Sequence, residues 1–200
     1  MALRETKKAA TRAAIADAAL GLFLARGFDR VTVAEVADAA GVSVNTAFNY
    51  FPTKEDLFFD RQDAVIDRLA AAVRERRPGE GAVAALRRLL VAELDAGEPT
   101  LGLDPGAPAF WRVVEASPAL QARLLRLQER AQAALAEALG GGPLARLAAA
   151  LLAGIDSAVH GEIRRRILAG DDPARVRADT RAFVEQATTL AERGLGDYPG

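Results

Sequence analysis

Ile15, Ala19, Leu22 and Phe23 fall at i, i+4, i+7 and i+8, which places one apolar stripe on a helix over 12–26. Gly27 follows, where the left-handed C′ residue of a helix belongs. Val33, Val36, Ala37 and Ala40 form a second, shorter stripe that opens on a capping box. In that box the Thr32 oxygen accepts from the N3 amide while Glu35 reaches back. Val31 and Val36 stand where a hydrophobic staple clamps the helix entry. Gly41 ends the segment. Ser43 caps a third helix, in which Ala47 and Phe51, with Val42 before them, face inward while Asn45, Phe48 and Asn49 face outward. Pro52 stops it. Thr53 caps a fourth helix, predicted to run to about Arg77, with Glu55 and Asp56 in the first turn where the helix dipole favours acids.

Helical periodicity continues to the C-terminus, over roughly 81–96, 108–116, 118–139, 144–169 and 172–194. Breakers separate these stretches: Pro99, Gly102, Pro105-Gly106 and Pro108, then Pro118, then Gly140-Gly141-Gly142-Pro143, then Gly170 with Pro173. There is no alternating strand pattern and no internal repeat. The expected fold is all-α, with a three-helix domain over 1–53 and a helical second domain over 54–200.

Composition narrows the chemistry. The chain has no cysteine and a single histidine, His160, so it offers neither a thiolate nucleophile nor a histidine-rich metal site. It shows no P-loop, dinucleotide fingerprint or zinc-binding histidine pair, so no metal, cofactor or enzyme activity is expected. Met1-Ala2-Leu3-Arg4 does not lead into an apolar signal core, and no uncharged window is long enough to span a membrane. A cytoplasmic location is therefore expected, with no membrane partner. The net charge of −1 argues against generic polyanion binding, but its distribution is uneven. Residues 1–12 carry Arg4, Lys7, Lys8 and Arg12 against Glu5, a net +3, whereas 13–61 carry a net −3. Contact with DNA would have to rest on placed groups and a basic arm rather than on bulk charge. Arg4, Lys8 and Arg12 repeat every four residues, so a helical arm aligns them.

A capped short helix, an Ala-Gly-Val-Ser turn and a second short helix read as a helix-turn-helix, whose purpose is to present one helix face to a DNA major groove. The stretch from Thr32 to Leu57 closely resembles the signature of the TetR family of bacterial regulators, and Gly27-Phe28 ahead of it fits too. The resemblance covers about residues 12–57. It implies an all-helical homodimer with an N-terminal DNA-binding domain, a divergent ligand domain, and repression of a double-stranded operator relieved by a small-molecule effector. Position by position, it implies base contacts from Val44, Asn45, Thr46, Phe48 and Asn49 and phosphate contacts from Tyr50 and Lys54. Thr32 and Ser43 at the two caps and Arg4, Lys7 and Lys8 on the arm complete the expected DNA-binding set. Chemistry agrees, since asparagine pairs with an adenine edge and a phenol or an ammonium binds phosphate. Two departures stand out: Phe48 occupies a position where tyrosine is common in the family, and Val44 one where a polar or basic residue is common. Phe48 also suits a core position.

Val176, Thr180, Phe183, Ala187 and Leu190 alternate by four and three, the pattern of a bundle seam, and are the expected dimer interface. A second stripe, Leu147, Leu151, Ile155, Val159 and Ile163, lies on a helix about 39 Å long at ~1.5 Å per residue. Two such helices from each of two chains make a four-helix interface, although each stripe must also serve its own core. Phe110 and Trp111, after the loop 97–108, and Asp156 and His160, spaced i, i+4, form the expected effector site. Aromatic side chains are few in the second half, so that site is expected to be mostly aliphatic and to suit an apolar ligand.

Overall fold

The computed structural model describes the backbone of residues 2–195 and the side chains of residues 5–194, so the Arg4 side chain lies outside the described residues. Ten α-helices and one 3-10 turn, with no strand, make up these residues: α1 Ala2–Arg26, α2 Val33–Ala39, α3 Val44–Tyr50, α4 Lys54–Phe58, α5 Gln62–Arg74, α6 Ala82–Ala96, α7 Ala107–Ala116, α8 Pro118–Ala138, α9 Pro143–Leu168 and α10 Pro173–Leu195. The all-α expectation therefore holds, and the later helices start and stop within a residue of their expected bounds, with Pro108 inside the first turn of α7 rather than ahead of it.

The expected helix from Thr53 to Arg77 is broken. Phe59 leaves helical geometry at φ −101° and ψ 56°, ending α4 after five residues, and α5 begins at Gln62. The break is held by side chains from elsewhere. Arg12 takes the carbonyl of Asp60 at 3.0 Å, and the Gln62 amide donates to Asp56 at 2.9 Å.

The chain forms two compact units. One comprises the residues up to Gln62 together with Arg112–Arg123; the other comprises Asp63–Trp111 and the residues from Leu124 onward. The first unit runs past the expected boundary at 53/54. The helix α4 belongs to the first unit because Leu57 and Phe58 are buried there, with the Phe58 ring 6.0 Å from Phe23 and 6.1 Å from Phe28. Ile15, Ala19 and Phe23 of α1, Val36 and Ala37 of α2, Ala47 of α3 and Phe51 at its C-cap complete that core. In the second unit, Leu86, Leu90 and Leu94 of α6 pack with Ala148, Leu152, Val159 and Ile163 of α9 and with Val176 and Val184 of α10.

Candidate functional site

The loop geometry before and after α2 follows from local chemistry. Gly27 has φ 85° and Gly41 φ 67°, both in the region that a Cβ makes costly, so glycine sets both chain reversals. Thr32 and Glu35 form the capping box: the Thr32 side chain accepts from the Glu35 amide, and Glu35 accepts from the Thr32 amide at 2.8 Å. The Thr32 amide and hydroxyl and the neighbouring Arg26, 2.7 Å away, draw the Glu35 carboxyl down to about 2. Val31 and Val36 of the staple are both buried.

Ser43 caps α3 by accepting from the Thr46 amide at 3.1 Å, and the Ser43 and Thr46 hydroxyls lie 2.8 Å apart. Ala47 and Phe51 turn into the core. The opposite face therefore consists of Val44, Asn45, Phe48 and Asn49, all exposed. Val44 is 41% and Phe48 44% exposed, which settles the alternative of a core position for Phe48. Among the expected base contacts, Thr46 is the one whose hydroxyl is engaged in the cap.

One cation braces the end of this helix, and two further groups hold α4 and the segments beside it. Arg12 donates to the carbonyl of Tyr50, the last residue of α3, at 3.0 Å and lies 4.2 Å above the Phe51 ring. It is therefore withdrawn from the basic arm on which its spacing had placed it, whereas Lys7 and Lys8 are exposed. Lys54 is half-buried with its ammonium 4.3 Å from the centre of the Phe28 ring. Asp56, 6% exposed, accepts from the Thr53 amide at 3.0 Å, from Gln62 at 2.9 Å and from Arg123 at 2.5 Å. Burial opposes the charge on Asp56, but these hydrogen bonds and the Arg123 charge hold its carboxyl below the usual range. Ser117 is buried and donates to Asp29 at 3.0 Å, a second tie from segment 112–123.

The second unit contains a charged cluster that spacing alone did not reveal. Arg68 of α5 donates to Glu93 of α6 at 2.5 and 3.1 Å and to Asp156 of α9 at 2.6 and 3.3 Å. All three side chains are between 11% and 16% exposed. Burial opposes the Asp156 charge, yet the His160 imidazole and the Arg68 guanidinium hold its carboxyl below the ordinary range. Arg68 itself is held firmly charged. His160 lies 3.5 Å from Asp156, and its Nδ1 is 2.9 Å from the Asp156 carbonyl. One helical turn further, Arg164 sits 5.0 Å from the Trp111 ring, which meets Phe110 edge-on at 5.3 Å.

Asp156 and His160 thus lie together, and Phe110 and Trp111 lie against each other. However, the surroundings of Asp156 are ionic and not aliphatic. Neither of two open depressions, of about 510 and 490 Å3, is lined by any of the four expected effector residues. Arg68 and Glu93 were legible only as charges set on otherwise apolar faces, since Glu93 continues the stripe of Leu86 and Leu90.

The expected dimer seam also divides. Val176 is fully buried and Thr180 is 2% exposed, so both serve the core of their own chain. Phe183 and Ala187 are half-buried, and Leu190 is 74% exposed. On α9, Leu144, Leu147 and Leu151 are exposed by 69%, 56% and 43%. These positions are spaced i, i+3, i+7 on one side of the helix.

A short helix with a polar and apolar outer face, entered through capped turns and held at its C-terminal end by Arg12, defines a helix-turn-helix protein. Residues 15–60 match the family described as bacterial regulatory proteins, tetR family. The transcriptional regulator TcmR of Streptomyces glaucescens is 32% identical over 142 residues, covering 67% of this chain and 61% of that protein. The transcriptional repressor LfrR of Mycolicibacterium smegmatis is 38% identical over 114 residues, covering 52% of this chain and 58% of that protein. The chain thus spans about three-fifths of the length of these curated relatives. NalD of Pseudomonas aeruginosa, the secondary repressor of the MexAB-OprM multidrug efflux pump, has the same fold, with a TM-score of 0.58 and 20% identity over 88% of this chain and 94% of that one. The N-terminal part of the chain, over residues 15–60, belongs to the tetR family of bacterial regulatory proteins.

Proposed function

We propose that this protein is a homodimeric transcriptional repressor that binds a palindromic operator through α3 and is released by a small-molecule effector bound in its second unit. The observation that carries the reading is the outward face of α3, on which Asn45 and Asn49 stand exposed while Ala47 and Phe51 anchor the helix from behind. The relatives named as regulators and repressors support the same direction. A cytoplasmic location and the absence of catalysis accompany it. Val44, Asn45, Phe48 and Asn49 meet base edges, and Tyr50, Lys54 and the arm with Arg4, Lys7 and Lys8 meet phosphates. Thr32, Ser43 and Thr46 sit at the caps beside that face.

The exposure of apolar residues supports dimerisation. Leu144, Leu147 and Leu151 begin α9 and Leu190 lies near the end of α10. The two helices are joined by a short turn and packed together, so these leucines lie toward the same end of an antiparallel pair. Burying four leucines on each of two chains supplies the apolar core that a stable two-fold interface needs. The effector acts where Phe110, Trp111, Asp156 and His160 lie, beside the Arg68 and Glu93 charges.

The test is titration of the full chain against duplex DNA from the region upstream of its own gene, read by gel shift and anisotropy. Saturable binding to one segment that survives excess unrelated duplex is expected. Binding that unrelated duplex competes away equally would remove the operator reading.

A further inference from the structure

We infer that the half-site read by α3 is built on A·T pairs: Asn45 and Asn49 take adenine edges, and Val44 and Phe48 take thymine methyl groups. This rests on the operator-binding reading above and names the bases that the face can recognise.

The face is ordered in two strips. Val44 and Phe48 are i, i+4, and so are Asn45 and Asn49, so an apolar strip and an amide strip run side by side along one side of α3. The strips are presented rather than buried, with Val44 and Phe48 each more than 40% exposed. Large apolar side chains stay in water on a seven-residue helix at a cost, and a partner with matching methyl groups removes that cost.

Each base pair shows its own pattern in the major groove. Adenine offers one acceptor at N7 and one donor at N6, which an asparagine amide meets with one donor and one acceptor. Guanine offers two acceptors, N7 and O6, so an amide oxygen facing it has no partner. The group suited to guanine is a fork of donors such as arginine, and Val44–Tyr50 contains no arginine or lysine. Nor can the Arg12 guanidinium stand in, since it is held by the carbonyls of Tyr50 and Asp60 and stacked on Phe51. The Thr46 hydroxyl, which could read several bases, is paired with Ser43. The valine and the phenyl ring have no polar atoms to offer, and the C5 methyl of thymine is the one apolar group on a base edge in that groove. A seven-residue helix is about 10 Å long, so the contacts fall within about three or four consecutive base pairs.

The experiment is selection of bound duplexes from a random library by the full chain, followed by atom-level substitution in the selected half-site. Replacing individual thymines by deoxyuridine removes only the C5 methyl, and replacing adenines by 7-deazaadenine removes only N7. At the positions that α3 touches, the uracil exchange is expected to weaken binding about fourfold per methyl, and the deazaadenine exchange about tenfold or more. Phe48→Ala should abolish sensitivity to one uracil exchange while leaving sensitivity to deazaadenine intact, and Asn49→Ala should do the reverse. Circular dichroism confirms that each surface variant is folded. Selection of a half-site with G·C pairs at the steps that α3 touches, bound specifically and indifferent to uracil, would overturn the inference while leaving operator binding in place. Failure to enrich any sequence would instead overturn the operator reading itself.

Discussion

Arg12 holds the end of the recognition helix: its guanidinium donates to the Tyr50 carbonyl at 3.0 Å and, through the other terminal nitrogen, to the Asp60 carbonyl at the same distance. A residue in the first half of α1 thereby fixes both the C-terminus of α3 and the turn after α4. Arg12→Ala removes a charged donor from two backbone acceptors and a cation from the Phe51 ring. The expected loss is about 1–3 kcal/mol of stability in urea unfolding. Lys7→Ala and Lys8→Ala, both exposed, should change stability by less than about 0.5 kcal/mol. Equal effects from all three would show that Arg12 is an ordinary arm residue.

Deleting residues 1–9 keeps Arg12 and the apolar face of α1 but removes Arg4, Lys7 and Lys8. Operator affinity should fall, and the slope of log K against log salt should flatten by up to about 0.9 for each phosphate that the arm no longer neutralises. The unfolding midpoint should stay where it was. A salt slope identical to that of the full chain would show that the arm does not touch DNA.

Tyr50→Phe and Lys54→Ala test the phosphate assignment. Each should weaken binding to all operator variants by a similar factor, because phosphate contacts carry no base information. Lys54→Ala should also cost a little stability, since its ammonium lies 4.3 Å from the Phe28 ring. A changed base preference in either variant would move that residue to the reading face.

Much of the first unit was legible in the sequence because its signals are local. Thr32 with Glu35, Ser43, and the two glycines are each decided within a few residues, and all adopt the expected geometry. The break at Phe59 was not legible, because Arg12, far away in sequence, holds the Asp60 carbonyl. In the second unit, spacing identified stripes but not which way each stripe turns. Val176 and Leu190 share one periodic pattern, yet one is fully buried and the other mostly exposed. Likewise Asp156 was singled out on α9, but its partners come from α5 and α6, and no periodicity on one helix reports a contact with another.

The ion cluster in the second unit gives a stability prediction. Arg68→Met leaves Glu93 and Asp156 as buried carboxylates without their cation and should cost about 3–5 kcal/mol. Replacing all three by methionine and leucines should be far milder, because it removes the charges together. The Asp156 carboxyl is held below its unfolded value, so its contribution is present above about pH 4 and is lost as pH falls through the folded value. Unfolding followed between pH 7 and pH 3 should show less acid sensitivity in Asp156→Asn than in the parent chain. Identical curves would show that this carboxylate is not linked to folding.

Leu147→Glu combined with Leu190→Glu tests the dimer. Both side chains are exposed in the single chain, so the double variant should stay folded but sediment as a monomer and lose high-affinity operator binding. Val176→Asp should instead unfold the second unit, because that side chain has no exposure. A double variant that remains dimeric would remove the interface from this pair of helix ends.

The reading head is not a cassette. Segment 112–123 belongs to it as fully as α1 to α4 do, and brings Arg123 to Asp56 and Ser117 to Asp29. A chimera cut after Gln62 and fused to a foreign sensor would carry Asp56 without its guanidinium. Swapping specificity between such regulators therefore calls for transplanting two stretches of sequence at once, with the second taken from the middle of the donor chain.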